Sequence, residues 1–182
     1  MEIGGFFSPF TEMHLLYRYQ ETISDGPGLR YSIYLAGCSH HCPGCHNPSS
    51  HDPMGGIELT EEVLRDIIAE INSNPLLDGI TLSGGDPFFN PAELTVLLRR
   101  LRAETQLPIL CYTGYTLEEL LEKEECREAL TLIDTLIDGR FVRELYDPNL
   151  PFRGSSNQRI IHLSDEKYQL IVRKGLSLPK KN

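Results

Sequence analysis

The sequence has no uninterrupted apolar run of about 18 residues, so it offers no helix that would cross a membrane. The first residues, Met1 to Gly5, lack the cationic stretch followed by an apolar one that marks a secretory signal, and the expected location is the cytoplasm. Basic residues are scarce: 17 Lys and Arg stand against 26 Asp and Glu, a formal charge of −9. Such a chain is a poor general nucleic-acid binder, because phosphate contacts need clustered cations. Only the short stretch from Arg173 to Lys181 is mildly basic. There is no internal repeat and no low-complexity linker. The 182 residues, 40% apolar and 24% charged, suit one globular domain with a real core, so residues 1–182 are expected to form a single domain.

Cysteines are few and odd in number, which argues against a complete set of intrachain disulfides. Three of the five, however, fall within eight residues: Cys38, Cys42 and Cys45. They lie in Gly37-Cys38-Ser39-His40-His41-Cys42-Pro43-Gly44-Cys45-His46-Asn47-Pro48, a C-x3-C-x2-C spacing.

The flanking sequence places this cluster. Residues 31–36 alternate aromatic and β-branched side chains, as a strand does, and run straight into Gly37-Cys38. Residues 38–57 carry Pro, Gly, Asn, Ser and His without periodicity and read as one long loop, a length that is usually functional. Thr60 caps an expected helix with Val63, Leu64, Ile67, Ile68 and Ile71 on one face. A short strand over residues 79–82 breaks at Ser83-Gly84-Gly85-Asp86-Pro87. Asn90 caps a second helix with Pro91 at its first position and Leu94, Leu97, Leu98 and Leu101 as its buried stripe. Residues 108–112 read as a third strand, ending at Thr113-Gly114-Tyr115. Thr116 and Glu119 have capping-box spacing ahead of a third helix. Residues 130–138 fit either period, and the β-branched Ile133, Thr135 and Ile137 favour a strand ending at Asp138-Gly139. Residues 158–162 and 168–172 are candidates for late strands. Residues 1–30 are rich in turn formers.

Strands alternating with helices imply parallel β-α units. The chain is too short for a closed eight-fold barrel, which needs roughly 200 residues or more. A partial, open β/α barrel, mostly parallel with helices outside, or a small doubly wound sheet remains. Either places working groups at the carboxyl ends of the strands, where Cys38, Gly84-Gly85 and Thr113-Gly114-Tyr115 fall.

Three thiolates on one loop suit zinc or an iron–sulfur cluster. A closed zinc site wants four ligands, with His40, His41 or His46 as the fourth, but no second C-x2-C knuckle is present. A cubane cluster has four iron corners, and three cysteines leave one open. Cys111 and Cys126 are isolated and read as packing residues.

The order of motifs is more specific than any one of them. Gly37 to Asn47, Ser83-Gly84-Gly85-Asp86-Pro87, Thr113-Gly114-Tyr115, Asp138-Gly139-Arg140-Phe141 and Phe152-Arg153-Gly154-Ser155-Ser156-Asn157-Gln158 follow one another as in the radical S-adenosylmethionine (SAM) superfamily. The chain closely resembles the activating proteins of anaerobic (class III) ribonucleoside-triphosphate reductases, from about residue 12 to about residue 163. Many superfamily members carry an aromatic residue before the third cysteine. Gly44 stands there instead, as Pro-Gly-Cys does in this activase family. The stretch from Ser164 extends beyond the family core and has no assigned role.

The resemblance implies a radical SAM-type open barrel in which Cys38, Cys42 and Cys45 ligate a [4Fe-4S] cluster. Its fourth iron would bind S-adenosylmethionine, and reductive cleavage would yield methionine and a 5′-deoxyadenosyl radical. Gly84 and Gly85 would let the backbone approach the methionyl ammonium. Asp86 would add charge there or cap the next helix. Gly44, Cys45 and His46 would pass near the adenine, His46 stacking on it or standing solvated. Asp138 could reach a ribose hydroxyl or cap a turn. The Arg153-Asn157 loop could meet the methionine carboxylate or the protein partner, or be a structural turn. The implied partner is the anaerobic ribonucleoside-triphosphate reductase, whose glycine would become a radical. A small electron donor such as flavodoxin or ferredoxin is also implied. No cysteine-rich insert is present, so no auxiliary cluster is expected. The competing readings are an activase of a different glycyl radical enzyme and a non-catalytic zinc-binding interaction module.

Overall fold

The computed structural model describes residues 10–174, so Met1 to Gly5 and the basic end of the chain beyond Lys174 lie outside the described residues. Seven strands form one sheet: β1 (His14–Thr22), β2 (Arg30–Leu35), β3 (Ile57–Glu58), β4 (Gly79–Gly84), β5 (Ile109–Tyr112), β6 (Thr135–Asp138) and β7 (Arg159–His162). Their order is β3-β1-β2-β4-β5-β6-β7. The helices are α1 (Glu61–Ser73), α2 (Pro91–Glu104), α3 (Leu117–Glu122), α4 (Glu124–Thr131) and α5 (Glu166–Lys174).

The sheet is parallel at its centre and antiparallel at its flanks. β2 pairs with β4, β4 with β5 and β5 with β6 in parallel. β1 runs antiparallel to β2 and to β3, and β7 runs antiparallel to β6. The expectation of a mostly parallel sheet therefore holds for the four central strands and is corrected at the edges. The physical reason is the connection between β6 and β7. The β6–β7 connection contains only a short 3-10 turn (Arg143–Leu145) and no crossover helix, so β7 returns antiparallel.

Sequence capping signals became real caps. Thr60 accepts from the Val63 amide, and Asn90 accepts from the Glu93 amide ahead of Pro91. Thr116 and Glu119 form a reciprocal capping box, of a kind worth about 1 kcal/mol. Leu64, Ile67, Ile68 and Ile71 of α1 and Leu94, Leu97, Leu98 and Leu101 of α2 are buried in the core. They cover strands such as β2, buried over most of its length as a central parallel strand must be.

Three expectations are corrected. The turn-rich reading of residues 1–30 missed β1, whose apolar signal is weak because only Leu15 is buried among its nine residues. Leu130 and Thr131 belong to α4, and β6 begins only at Thr135. Residues 168–172 are helical rather than a late strand. Tyr168, Ile171 and Val172 pack on the core at helical spacing, while Leu170, which a strand would group with Tyr168 and Val172, is exposed. The stretch after Ser164 thus supplies α5 as a lid on the core. Among the described residues no helix is long and apolar enough to cross a membrane.

Candidate cluster site

At the carboxyl ends of the parallel strands lies a cavity of about 600 Å3. Its walls include Cys38, Cys42 and Cys45 from the loop after β2, and Gly84-Gly85 from the turn after β4. Thr113 and Gly114 follow β5, and the 139–158 segment follows β6. Four successive strand ends therefore meet at one opening. Gly44 and His46 also line it, so the expected cluster and nucleotide residues reach the cavity wall except Asp86 and Asp138. Asp86 sits behind that wall, only 2% exposed.

The three clustered thiols are half-buried and free, whereas Cys111 and Cys126 are buried in the core. Burial pushes the Cys38 thiol up, partly opposed by the backbone amides of His40 and His41, which donate to its sulfur. Burial lifts Cys126 to about 11 and Cys111 well above the usual thiol range, so both are held as neutral core groups. The cysteine loop is tied at its root and closed by an internal turn. Gly37 N–H donates to Ser50 O at 2.9 Å, and the Cys45 amide donates to Cys42 O at 3.0 Å, closing the turn at Pro43-Gly44. Among the described residues no three His, Cys, Asp or Glu side chains gather closely enough to hold one metal ion.

The double-glycine turn is dictated by backbone packing. Gly84 has φ +110°, and a Cβ there would stand 2.2 Å from Leu35 O. A Cβ on Gly85 would stand 2.3 Å from Gly37 O. The turn is thus pressed against the end of β2 and the root of the cysteine loop, and the Gly85 and Asp86 amides donate to Leu35 O and Gly37 O, each at 2.8 Å.

Asp86 is surrounded by donors. Oδ1 accepts from the Phe88 amide at 2.9 Å. Oδ2 accepts from His40 Nε2 at 2.6 Å and from the Gly114 amide at 2.9 Å. The Thr113 hydroxyl lies 3.0 and 3.1 Å from the two oxygens. The expected capping role of Asp86 is present, and its charge is used within the protein. His40, a candidate fourth zinc ligand by sequence, has its Nε2 committed to this carboxylate. His41 and His51 pair through Nδ1 at 3.2 Å, and His46 is exposed at the rim.

Asp138 is fully buried and accepts from the Leu117 amide at 2.7 Å, capping α3. It also accepts from Arg159. The turn-cap reading of this residue is the one the geometry bears out. In the 139–158 segment, Gln158 Oε1 accepts from the Gly154 and Ser155 amides, and Tyr112 donates to Phe152 O at 2.9 Å. Arg153 lines the cavity, donates from Nη1 to Gln158 O at 3.1 Å, and keeps a buried Nε with no hydrogen-bond partner. The non-glycine residues with left-handed backbone, His41 (φ 47°) and Phe152 (φ 57°), both sit in the loops around this opening. Such conformations concentrate where neighbouring structure over-determines them, functional sites above all.

Comparison with known proteins agrees with this geometry. The family described as a 4Fe-4S single cluster domain matches residues 24–161, spanning all the motifs above. An anaerobic ribonucleoside-triphosphate reductase-activating protein of Salmonella typhi is 41% identical over 149 residues, covering 80% of this chain and 96% of that protein. One from Escherichia coli (strain K12) is 40% identical over the same length, with the same coverage. One from Enterobacteria phage T4 is 32% identical over 139 residues, covering 75% of this chain and 85% of the phage protein. The chain belongs to the family of anaerobic ribonucleoside-triphosphate reductase-activating proteins and contains its 4Fe-4S single cluster domain.

Proposed function

We propose that this protein activates an anaerobic ribonucleoside-triphosphate reductase by radical SAM chemistry. The observation that carries the reading is the meeting of three half-buried cysteines, on one pinned loop, with the turns of three further parallel strands around one cavity. Cys38, Cys42 and Cys45 would hold a [4Fe-4S] cluster. When bound, the cluster would supply one electron and S-adenosylmethionine a reducible carbon–sulfur bond, the chemistry by which hydrogen would be taken from a glycine α-carbon of the reductase.

The chain's own residues bind, orient and exclude water. Gly84 and Gly85 bring backbone carbonyls to the cavity wall, where they can accept from the methionyl ammonium. Asp86 lies behind them and adds negative charge without direct contact. Gly44, Cys45 and His46 line the cavity and would border the adenine. Arg153 lines the cavity, and its guanidinium would pair with a carboxylate there. The seven-stranded sheet acts as a partial, open radical SAM-type barrel within a single domain, residues 1–182, in the cytoplasm. The open side lets the target loop of the reductase enter, and a small flavodoxin or ferredoxin supplies the electron.

Anaerobic purification should give brown protein with roughly four irons per chain. Mixing it with S-adenosylmethionine, a reductant and the reductase should produce a glycyl radical signal on the partner. Colourless protein with one zinc overturns the chemistry. A radical formed only on another glycyl radical protein reassigns the partner.

A further inference from the structure

In the Thr113-Gly114-Tyr115 motif, Gly114 and Tyr115 meet the His40 ring of the cysteine loop, and Thr113 holds the carboxylate that His40 contacts. His40 lies midway between Cys38 and Cys42, but its side chain is turned inward and only 4% exposed. Its Nε2 lies 2.6 Å from Asp86 Oδ2. An ionised carboxylate only accepts, so the ring nitrogen donates. Thr113 and the Gly114 amide hold the same carboxylate. Gly114 also makes room: a Cβ there would stand 2.4 Å from the His40 ring. The Tyr115 ring meets His40 edge-on, with centroids 4.5 Å apart. Lys123 lies over the Tyr115 ring, 3.8 Å from its centroid.

We propose that His40 is a positioning residue: Asp86, Thr113, Gly114 and Tyr115 form a socket that clamps its ring, and the clamp sets the cysteine loop against the Gly84-Gly85 turn. One carboxylate thereby ties the turns after β4 and β5 to the loop that carries the thiols. The loop's other ties are backbone contacts of Gly37, Cys38 and Cys45, the exposed His41–His51 pair, and Asn47 donating to the Tyr17 hydroxyl at 2.6 Å, and none of them reaches the Gly84-Gly85 turn from the stretch between Cys38 and Cys42. The consequence for cofactor geometry rests on the activase reading. The clamp itself does not.

The test uses the full chain with His40→Ala and His40→Gln, the latter keeping an amide donor at similar reach. In metal-free protein, hydrogen exchange of residues 37–47 should quicken about tenfold or more in His40→Ala and return most of the way in His40→Gln. In cluster-loaded protein, S-adenosylmethionine should perturb the electron paramagnetic resonance spectrum of the reduced cluster in wild type and in His40→Gln. The perturbation should be lost or altered in His40→Ala. Gly114→Ala should reproduce the His40→Ala exchange pattern in wild type and add little in a His40→Ala background, because the clashing ring is gone. Unchanged exchange in His40→Ala, no recovery in His40→Gln, or fully additive Gly114→Ala effects each overturn the clamp. Wild-type protein that loads no cluster overturns the activase reading instead, and the exchange measurement still decides the role of His40.

Discussion

The two ends of the parallel strands treat their polar groups in opposite ways. At the amino end, Arg30 is 4% exposed and is absorbed by the fold. Its Nη2 donates to Ile80 O at 2.6 Å and its Nε to the Thr81 hydroxyl at 3.1 Å, and Gly79 leaves space where a Cβ would meet the guanidinium at 2.0 Å. Burial lowers the pKa of this arginine from its ordinary value, yet carbonyls and a hydroxyl satisfy it. At the carboxyl end, Asp86 is satisfied just as fully, but the groups in front of it are not. Three half-buried thiols line an open cavity, none of them in a disulfide, and Arg153 lines it too, with its buried Nε unpaired. Stability resides in the layer behind the wall, and reactivity in the layer before it.

Four substitutions sharpen that contrast, in order of expected cost to the fold. Asp86→Ala strands His40, Thr113 and two backbone amides in a buried place. It should cost about 3–5 kcal/mol in urea unfolding, with Asp86→Asn losing less. Arg30→Met, at the other end, should cost about 2 kcal/mol by leaving buried carbonyls unpaired. Iron content per folded molecule should remain unchanged, and a matching loss of iron would erase the distinction between the two ends. Cys111→Ala should cost about 1 kcal/mol through a small core void, again with full iron loading. Cys42→Ala should change stability by less than about 0.5 kcal/mol in metal-free protein. It should nonetheless abolish cluster-dependent cleavage of S-adenosylmethionine, measured as release of 5′-deoxyadenosine. Full cleavage would remove Cys42 from the ligand set.

The legible parts of the fold were those with local physics. Thr60, Asn90-Pro91 and the Thr116/Glu119 pair announced three helix starts because a cap is made by residues within one turn. The buried runs of β2, β4 and β5 were readable for the same reason. β1 was not, since its place depends on pairing with β2 on one side and the two-residue β3 on the other. α5 was misread because an isolated run of Tyr168 to Val172 satisfies both periods until the core chooses one face. In the site, the cysteine spacing and the glycine turns were visible. The direction in which Asp86 and His40 point was not, because their contact spans 46 positions in the chain.

Thus the primary structure was enough to specify the chemistry: a C-x3-C-x2-C loop, a Gly-Gly-Asp-Pro turn and their order along the chain, all properties of neighbouring residues. Which polar groups are consumed inside the protein and which are left facing the cavity emerged only on folding. That partition depends on burial and on donors brought in from distant strands, and no local pattern encodes either.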